Sequence, residues 1–352
     1  MPSKQRITAG GLVIGGGSPI AVQSMTNTDT RDREKTLAQI KELCAAGADL
    51  VRFTVPDAEA AASVRYLVDN SPCPLVADIH FDYRLAIASI ENGISKLRLN
   101  PGNIGSEDRV RMVADCAKRA GVPIRIGVNS GSVQKDILAR DGGVTARGLV
   151  DSALAHAALL EKCGFHDIVL SMKSSSVPMT VAAYRMAAKA CDYPLHVGVT
   201  EAGLREEGTL KSAIGIGALL LDGIGDTIRV SLTGSPIPEI KAAKDILAAV
   251  GMLPGRIRFV SCPTCGRTKI PVEDIMRRVQ AELSGVRKDI TVAVMGCVVN
   301  GPGEAREADI AIYGGGRADE GVVSFRGEQR RIEGNLAEQF VAFVMECIGK
   351  ME

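Results

Sequence analysis

Tryptophan is absent from the 352-residue chain, and aromatic residues make up only 3% of it. That removes most of the flat platforms on which nucleic-acid bases stack. An excess of either charge is missing too: 42 Lys and Arg face 41 Asp and Glu, a formal net charge of +1. A surface that coats a polyanion needs more than that, although balance says nothing about local clusters. No apolar run approaches the ~18 residues that would suggest a membrane span. The nearest, AIGIGALLLDGIG, is short and broken by glycine. The opening MPSKQRITAGGLVIGGG lacks the apolar segment of a signal peptide, which predicts a cytoplasmic protein. Only four histidines occur, none after His196, and nine cysteines are an odd number too sparse for a disulfide scaffold.

What is present fits a packed soluble protein, with 46% hydrophobic and 24% charged residues. Short strand-like segments recur along the first 235 residues. They are PIAVQSMT (from Pro19), LVRFTVP (from Leu50), PLVADIHF (from Pro74) and KLRLNPGN (from Lys96). PIRIGVNSG (from Pro123), DIVLSMKSS (from Asp167), PLHVGVTEAG (from Pro194) and TIRVSLTG (from Thr227) follow. Ala-, Leu- and Glu-rich helical stretches lie between them, several ending at a glycine such as Gly47 or Gly121. Eight alternating units of this kind predict a closed (β/α)8 TIM barrel over residues 1–253. GLVIGGG precedes the first of them and reads as a small hairpin rather than a dinucleotide fingerprint. Past the linker AVGMLPGR the pattern changes. Residues 254–352 predict a smaller α+β domain built on RIRFVSCP, PVEDIMRRVQAEL, DITVAVMGC, DIAIYGGG, EGVVSFRG and a final helix NLAEQFVAFVMECIGK.

Residues two apart on a strand share a face. Near the C-terminal ends of the barrel strands, Arg52 and Thr54, Asp78 and His80, Arg98 and Asn100, Ser171 and Lys173, and Arg229 and Ser231 are so spaced. Arg125 and Asn129 lie four apart, again on one face. Barrel active sites occupy that end, so Arg52, Arg98, Arg125, Lys173 and Arg229 are expected to meet at one mouth. Two unit charges about 4 Å apart repel by roughly 4 kcal/mol at an effective dielectric of 20. With only Asp78 and Glu201 as evident acids, a phosphate or diphosphate ligand is the expected counter-charge. Any one of these arginines alone would read as an outer-surface salt bridge. His80 beside Asp78 is a candidate proton donor against the alternative of a structural histidine. Glu201, in TEAG, is an acid/base candidate against a helix-capping role.

In the last hundred residues, SCPTCGR supplies Cys262 and Cys265, and GCVVNGPGEA supplies Cys297. With no histidine in this domain a Cys3His zinc site is excluded. Three thiolates with an oxygen donor, for which Glu304 is placed, suit an iron–sulfur cluster with one iron left open. Zinc and a redox dithiol are the alternatives. Cys347 in the final helix reads as core.

The segments PIAVQSMTNT, PLVADIHFDYR, LRLNPGNIG, PIRIGVNSGS, TEAG, KSAIGIG, GDTIRVSL, CPTCGR and GCVVNGPGEA resemble the bacterial 4-hydroxy-3-methylbut-2-enyl diphosphate synthase family, from about Ile20 to Glu304 in consistent order. The resemblance implies reductive ring opening and dehydroxylation of 2-C-methyl-D-erythritol 2,4-cyclodiphosphate. It implies a 4Fe-4S cluster on Cys262, Cys265, Cys297 and Glu304. It also implies diphosphate binding by Arg52, Arg98, Arg125, Asn129, Lys173, Arg229 and Ser231, proton handling by Glu201, and Asp78 and His80 in the same pocket. Flavodoxin or ferredoxin would supply electrons. The family further implies a homodimer in which the cluster domain of one subunit covers the barrel mouth of the other. Two other classes stay open on the residues alone: a barrel lyase or transferase with a structural zinc domain, and a non-enzymatic iron–sulfur sensor or electron carrier.

Overall fold

The computed structural model describes residues 3–351, which open with a hairpin of β1 (Arg6–Ala9) and β2 (Leu12–Gly15). Ala9 pairs with Leu12, so Gly10 and Gly11 form a two-residue turn, and both have positive φ (55° and 86°). Such a turn matches the twist of the flanking strands and selects glycine.

Eight parallel strands follow: β3 (Ala21–Met25), β4 (Leu50–Thr54), β5 (Leu75–Asp78), β6 (Lys96–Arg98), β7 (Ile124–Asn129), β8 (Ile168–Lys173), β9 (His196–Val197) and β10 (Thr227–Ile228). Their hydrogen-bonded order is β8-β7-β6-β5-β4-β3-β10-β9. A bridge between Leu170 and Leu195 joins β8 to the residue entering β9 and completes the ring. Each of the eight strand-like segments in the sequence contains one of these strands, and the hairpin precedes them. The helix Glu107–Ala120 shows how the intervening elements stop: Gly121 takes a left-handed cap at φ 65°, and Lys118 and Arg119 complement the last turn's dipole.

The barrel interior changes character along its axis. At the N-terminal end, Ala21, Leu50, Val76 and Val169 pack against Ile7, Ala9 and Ile14, so the hairpin is an apolar plug. Toward the C-terminal end the same inward parity carries charge. A disulfide between Cys44 and Cys73 ties the end of helix Arg33–Ala45 to the loop before β5, a link the sequence reading does not anticipate.

Contacts divide the chain between Met252 and Leu253. The second unit holds β11 (Arg258–Ser261), β12 (Thr291–Met295), β13 (Ile310–Gly314), β14 (Glu320–Phe325) and β15 (Glu328–Glu333) in spatial order of sequence. β11 to β13 are parallel, while β14 and β15 add antiparallel pairs. Ile275 and Val279 of helix Val272–Glu282, with Phe340, Val344 and Cys347 of helix Leu336–Gly349, bury against Val292, Val294, Ile310, Ile312 and Val323. Cys347 is thus a core residue. Among the described residues no helix is long and apolar enough to cross a membrane.

Candidate functional site

Register across the barrel sets the site. Asp78 on β5 lies abreast of Arg98 on β6, which lies abreast of Arg125 on β7, and Asn129 lies abreast of Lys173 on β8. With Arg52 and Arg229 these groups line one cavity of about 720 Å³, together with His80, Asn100, Ser171 and Ser231. All five strand-end cations therefore reach one mouth. Thr54, paired with Asp78 in register, is not in its wall.

Two carboxylates organise the cations. Asp78 Oδ1 lies 3.1 Å from Arg98 Nη1, and its Oδ2 lies 3.6 Å from Arg52 Nε. Burial alone would raise the Asp78 pKa, but the guanidinium groups of Arg52 and Arg98 outweigh it and hold the acid below its ordinary value. Arg98 Nη2 also donates to the Gly127 carbonyl at 2.8 Å. A Cβ on Gly127 would stand 2.7 Å from Arg98 Nε, so glycine is required for that arginine to cross β7. Asn100, 3% exposed, accepts from the Gly127 N–H through Oδ1, which leaves its amide NH2 for a ligand.

Burial pushes the Arg52 pKa down to about 10 and lowers Arg125 strongly, with neighbouring arginines adding to the shift. Arg125 is 2% exposed, and its Nε and Nη2 lack a hydrogen-bond partner. Cations this desolvated and incompletely paired favour a multiply charged anion.

Because the folded-state pKa of Asp78 is depressed, its contribution to stability is full above the unfolded value near 3.8 and is lost as pH falls through the lower folded value. Asp78→Asn is expected to cost about 3–5 kcal/mol near pH 7, the usual cost of stranding buried charges. Urea unfolding from pH 7 down to pH 3 should show the gap to wild type narrowing only in the most acidic samples. A gap of the same size throughout would mean that Asp78 acts through shape alone.

Four groups escaped the sequence reading. Glu239 sits in the first turn of helix Ile237–Ala249, where an acid reads as dipole complement; it is 4% exposed. Its Oε2 lies 3.6 Å from Arg229 Nη2, and its Oε1 accepts from the Leu232 N–H at 2.9 Å. It is the second acid of the site, and burial raises its pKa against the pull of Arg229. His156, inside helix Ala146–Glu161, lines the cavity and accepts the Gly102 N–H at Nδ1, 3.1 Å away. Lys96 is fully buried with no hydrogen-bond partner at Nζ; burial, with Arg125 and Arg52 nearby, lowers its pKa strongly. His196, treated below, faces inward. The signal for Lys96 and His196 was parity, since each is two residues before a wall residue or its glycine.

Glu201 lies outside the cavity wall, which at this strand is Val199 and Thr200. It is exposed and has φ of 51°, one of two non-glycine residues with positive φ among the described residues. The following helix starts at Arg205 with Leu204 as its N-cap, so Glu201 is not the capping residue. His80 is exposed at the mouth, its ring 6.1 Å from that of Phe81. Both Asp78 oxygens face arginines rather than His80.

In the second unit, Cys262 and Cys297 leave the C-terminal ends of adjacent parallel strands β11 and β12. The Gly296 N–H donates to Cys262 Sγ at 3.1 Å, and a Cβ on Gly296 would meet Thr268 Cγ2 at 2.8 Å, so the two loops pack closely only with glycine there. Backbone N–H groups of Asn300, Val299 and Gly301 hold the Cys297 thiol below its usual pKa. The Arg267 backbone and guanidinium do the same for Cys265. Glu304 is exposed on the short helix Gly301–Ala305. Among the described residues no three His, Cys, Asp or Glu side chains gather closely enough to hold one metal ion. The donor chemistry nevertheless fits: Cys265 and Cys297, with thiols held below their usual pKa, and Cys262 lie beyond the C-terminal ends of β11 and β12, and thiolates are what an iron–sulfur cluster takes as ligands.

Comparison with known proteins gives these features a lineage. In fold, the barrel is similar to 3-dehydroquinate dehydratase from Geobacillus kaustophilus, with TM-score 0.51 and 16% identity over 71% of this chain and 99% of that one. Curated relatives named 4-hydroxy-3-methylbut-2-en-1-yl diphosphate synthase (flavodoxin) are far more similar in sequence. That of Ruminiclostridium cellulolyticum is 59% identical over 88% of both chains. That of Caldanaerobacter subterraneus subsp. tengcongensis is 55% identical over 98% of this chain and 97% of the relative. That of Geobacter sulfurreducens is 50% identical over 99% of each. The GcpE TIM-barrel domain profile matches residues 4–244, and the GcpE protein C-terminal domain profile matches residues 258–348. With both units accounted for, the chain belongs to the GcpE family.

Proposed function

We infer that this chain is an oxidoreductase that opens 2-C-methyl-D-erythritol 2,4-cyclodiphosphate reductively to 4-hydroxy-3-methylbut-2-enyl diphosphate, with flavodoxin as electron donor. The observation that carries the reading is the convergence of five cations from five strands, against two carboxylates, on one cavity of a chain whose curated relatives bear that enzyme's name. Ferredoxin is the alternative donor.

Arg52, Arg98, Arg125, Lys173 and Arg229 bind the diphosphate, with Asn100, Asn129 and Ser231 donating hydrogen bonds. Opening the ring turns one end of the diphosphate into a leaving group, and charge developing on its oxygens is met by groups that need no reorganisation. Asp78 and Glu239 keep Arg98, Arg52 and Arg229 aimed and stop the cations from repelling one another apart. Departure of the hydroxyl as water requires protons, for which Glu201 and His80 are the candidates; Asp78, held ionised between Arg98 and Arg52, serves as their counter-charge instead. The strained backbone of Glu201 supports a functional role, since such strain persists where a site demands it. Cys262, Cys265, Cys297 and Glu304 would hold a 4Fe-4S cluster, which when bound would relay the two electrons of reduced flavodoxin one at a time.

The homodimer belongs to the same reading, with the cluster domain of one subunit closing the barrel mouth of its partner. The exposed Leu204, Leu210, Ile214 and Leu221, at and along helix Arg205–Leu221, support a subunit contact there.

The test is anaerobic turnover of the cyclodiphosphate by reconstituted protein with reduced flavodoxin, alongside metal and sulfide analysis. Zinc without sulfide, or a cluster protein that leaves the cyclodiphosphate untouched, contradicts the reading. Glu201→Gln is expected to keep the cluster absorbance and lose most turnover; full activity in that variant removes Glu201 from the mechanism.

A further inference from the structure

Lys173 reaches the cavity from β8 at 7% exposure, and neither carboxylate of the site is bonded to it. Among the described residues its one hydrogen-bond partner at Nζ is His196 Nε2, 3.1 Å away. Burial, with Arg125, Arg229, Arg52 and Arg98 nearby, pushes the Lys173 pKa well down, so its charge depends on what its nitrogen bonds to. His196 is fully buried, and both of its ring nitrogens are engaged, with Nδ1 lying 2.7 Å from Thr227 Oγ1. Its backbone carbonyl accepts from Tyr184 Oη at 2.5 Å, so main chain and ring are both held. Gly198, two residues on, clears the path: a Cβ there would stand 2.8 Å from Lys173 Nζ.

In its ammonium form, the form that binds an anion, Lys173 has no lone pair, so its bond to this ring needs Nε2 as acceptor. A neutral imidazole carries one N–H, which is then on Nδ1 and points at Thr227 Oγ1. Burial keeps the ring neutral, with Lys173, Arg125, Lys96 and Arg52 acting in the same direction. We propose that His196 is a positioning residue: held by Thr227 as the Nδ1–H tautomer, it takes one N–H of Lys173 at Nε2 and aims the other two at the anionic ligand. This rests on the reading of the cavity as a diphosphate site, and it adds a residue outside the cavity wall that acts only through Lys173.

The test is calorimetric titration of the holoenzyme with the cyclodiphosphate in a double-mutant cycle. His196→Phe is expected to weaken binding about tenfold, the lower range for losing a hydrogen bond to a charged group. His196→Gln, whose amide oxygen can accept from Lys173, should bind within about threefold of wild type. In a Lys173→Met background, His196→Phe should change affinity less than about twofold, because the partner through which it acts is gone. Equal losses in both backgrounds, or wild-type affinity in His196→Phe, would overturn the proposal. A ligand-independent arm is 15N NMR of the histidine-labelled, oxidised holoenzyme, with His196 assigned by its loss in His196→Gln. A neutral ring protonated at Nδ1 is expected. An Nε2–H tautomer or an imidazolium overturns the proposal, even if wild type fails to bind the cyclodiphosphate and the functional reading falls by itself.

Discussion

Arg98→Met in the reconstituted enzyme is expected to lower kcat/KM for the cyclodiphosphate by a factor of about 30 to 5,000. That range is the 2–5 kcal/mol which truncating one partner of a buried charge pair costs, expressed as a ratio. Arg98 stands between Asp78 at 3.1 Å and the Gly127 carbonyl at 2.8 Å, so its removal subtracts a cation and also leaves Asp78 Oδ1 unpaired, with only Arg52 on the other oxygen. The unpaired oxygen would face the ligand's oxygens. Removing Asp78 as well should therefore recover part of the loss, a non-additivity expected only of groups in contact. Gly127→Ala should reproduce much of the defect without touching a charge, since the new methyl would occupy the path of Arg98 Nε. Steady-state kinetics with thermal melts as a folding control decide the matter. A loss under threefold in Arg98→Met would place that side chain outside the ligand's reach.

The second large effect is on the cofactor. Cys297→Ser is expected to leave both units folded while abolishing cluster iron, acid-labile sulfide and turnover. Cys297 lies just past the C-terminal end of β12, and the hydrophobic core of its unit lies elsewhere, among Val292, Val294, Ile312 and Phe340. A serine keeps the volume but is a poor ligand where the N–H groups of Asn300, Val299 and Gly301 favour a thiolate. Cys347→Ser makes the contrast: at 1% exposure in the core it should lower the melting temperature yet retain iron and sulfide. Reversed outcomes for the two cysteines would move the cluster away from Cys297.

The barrel was legible because its strands are short, recur between amphipathic helices and carry polar residues at an interval of two. That interval alone brought Arg52, Arg98, Arg125, Lys173 and Arg229 to one cavity. It fell short where function depends on a layer rather than a strand end. Lys96 and His196 lie deeper on the same inward parity, and nothing local distinguishes a buried lysine from an exposed one at the start of a strand. Glu239 was hidden by its helix, because acids in first turns are ordinary there. The strand β15, EQRRIE, was missed for the opposite reason: five of its six residues are exposed and only Ile332 turns inward, as suits a charged edge strand. Glu201 was chosen from its motif, and it lies past the end of β9 at Val197, where strand parity no longer says which way a side chain faces. Its positive φ is a feature that no propensity scale assigns to glutamate.

The most direct measurement is calorimetric titration of the anaerobic holoenzyme with 2-C-methyl-D-erythritol 2,4-cyclodiphosphate, repeated on Arg98→Met and Arg125→Met. Saturable binding at one site per chain, weakened in both variants, is the predicted result. Binding of equal strength in all three proteins would contradict the assignment of the barrel mouth as the diphosphate site.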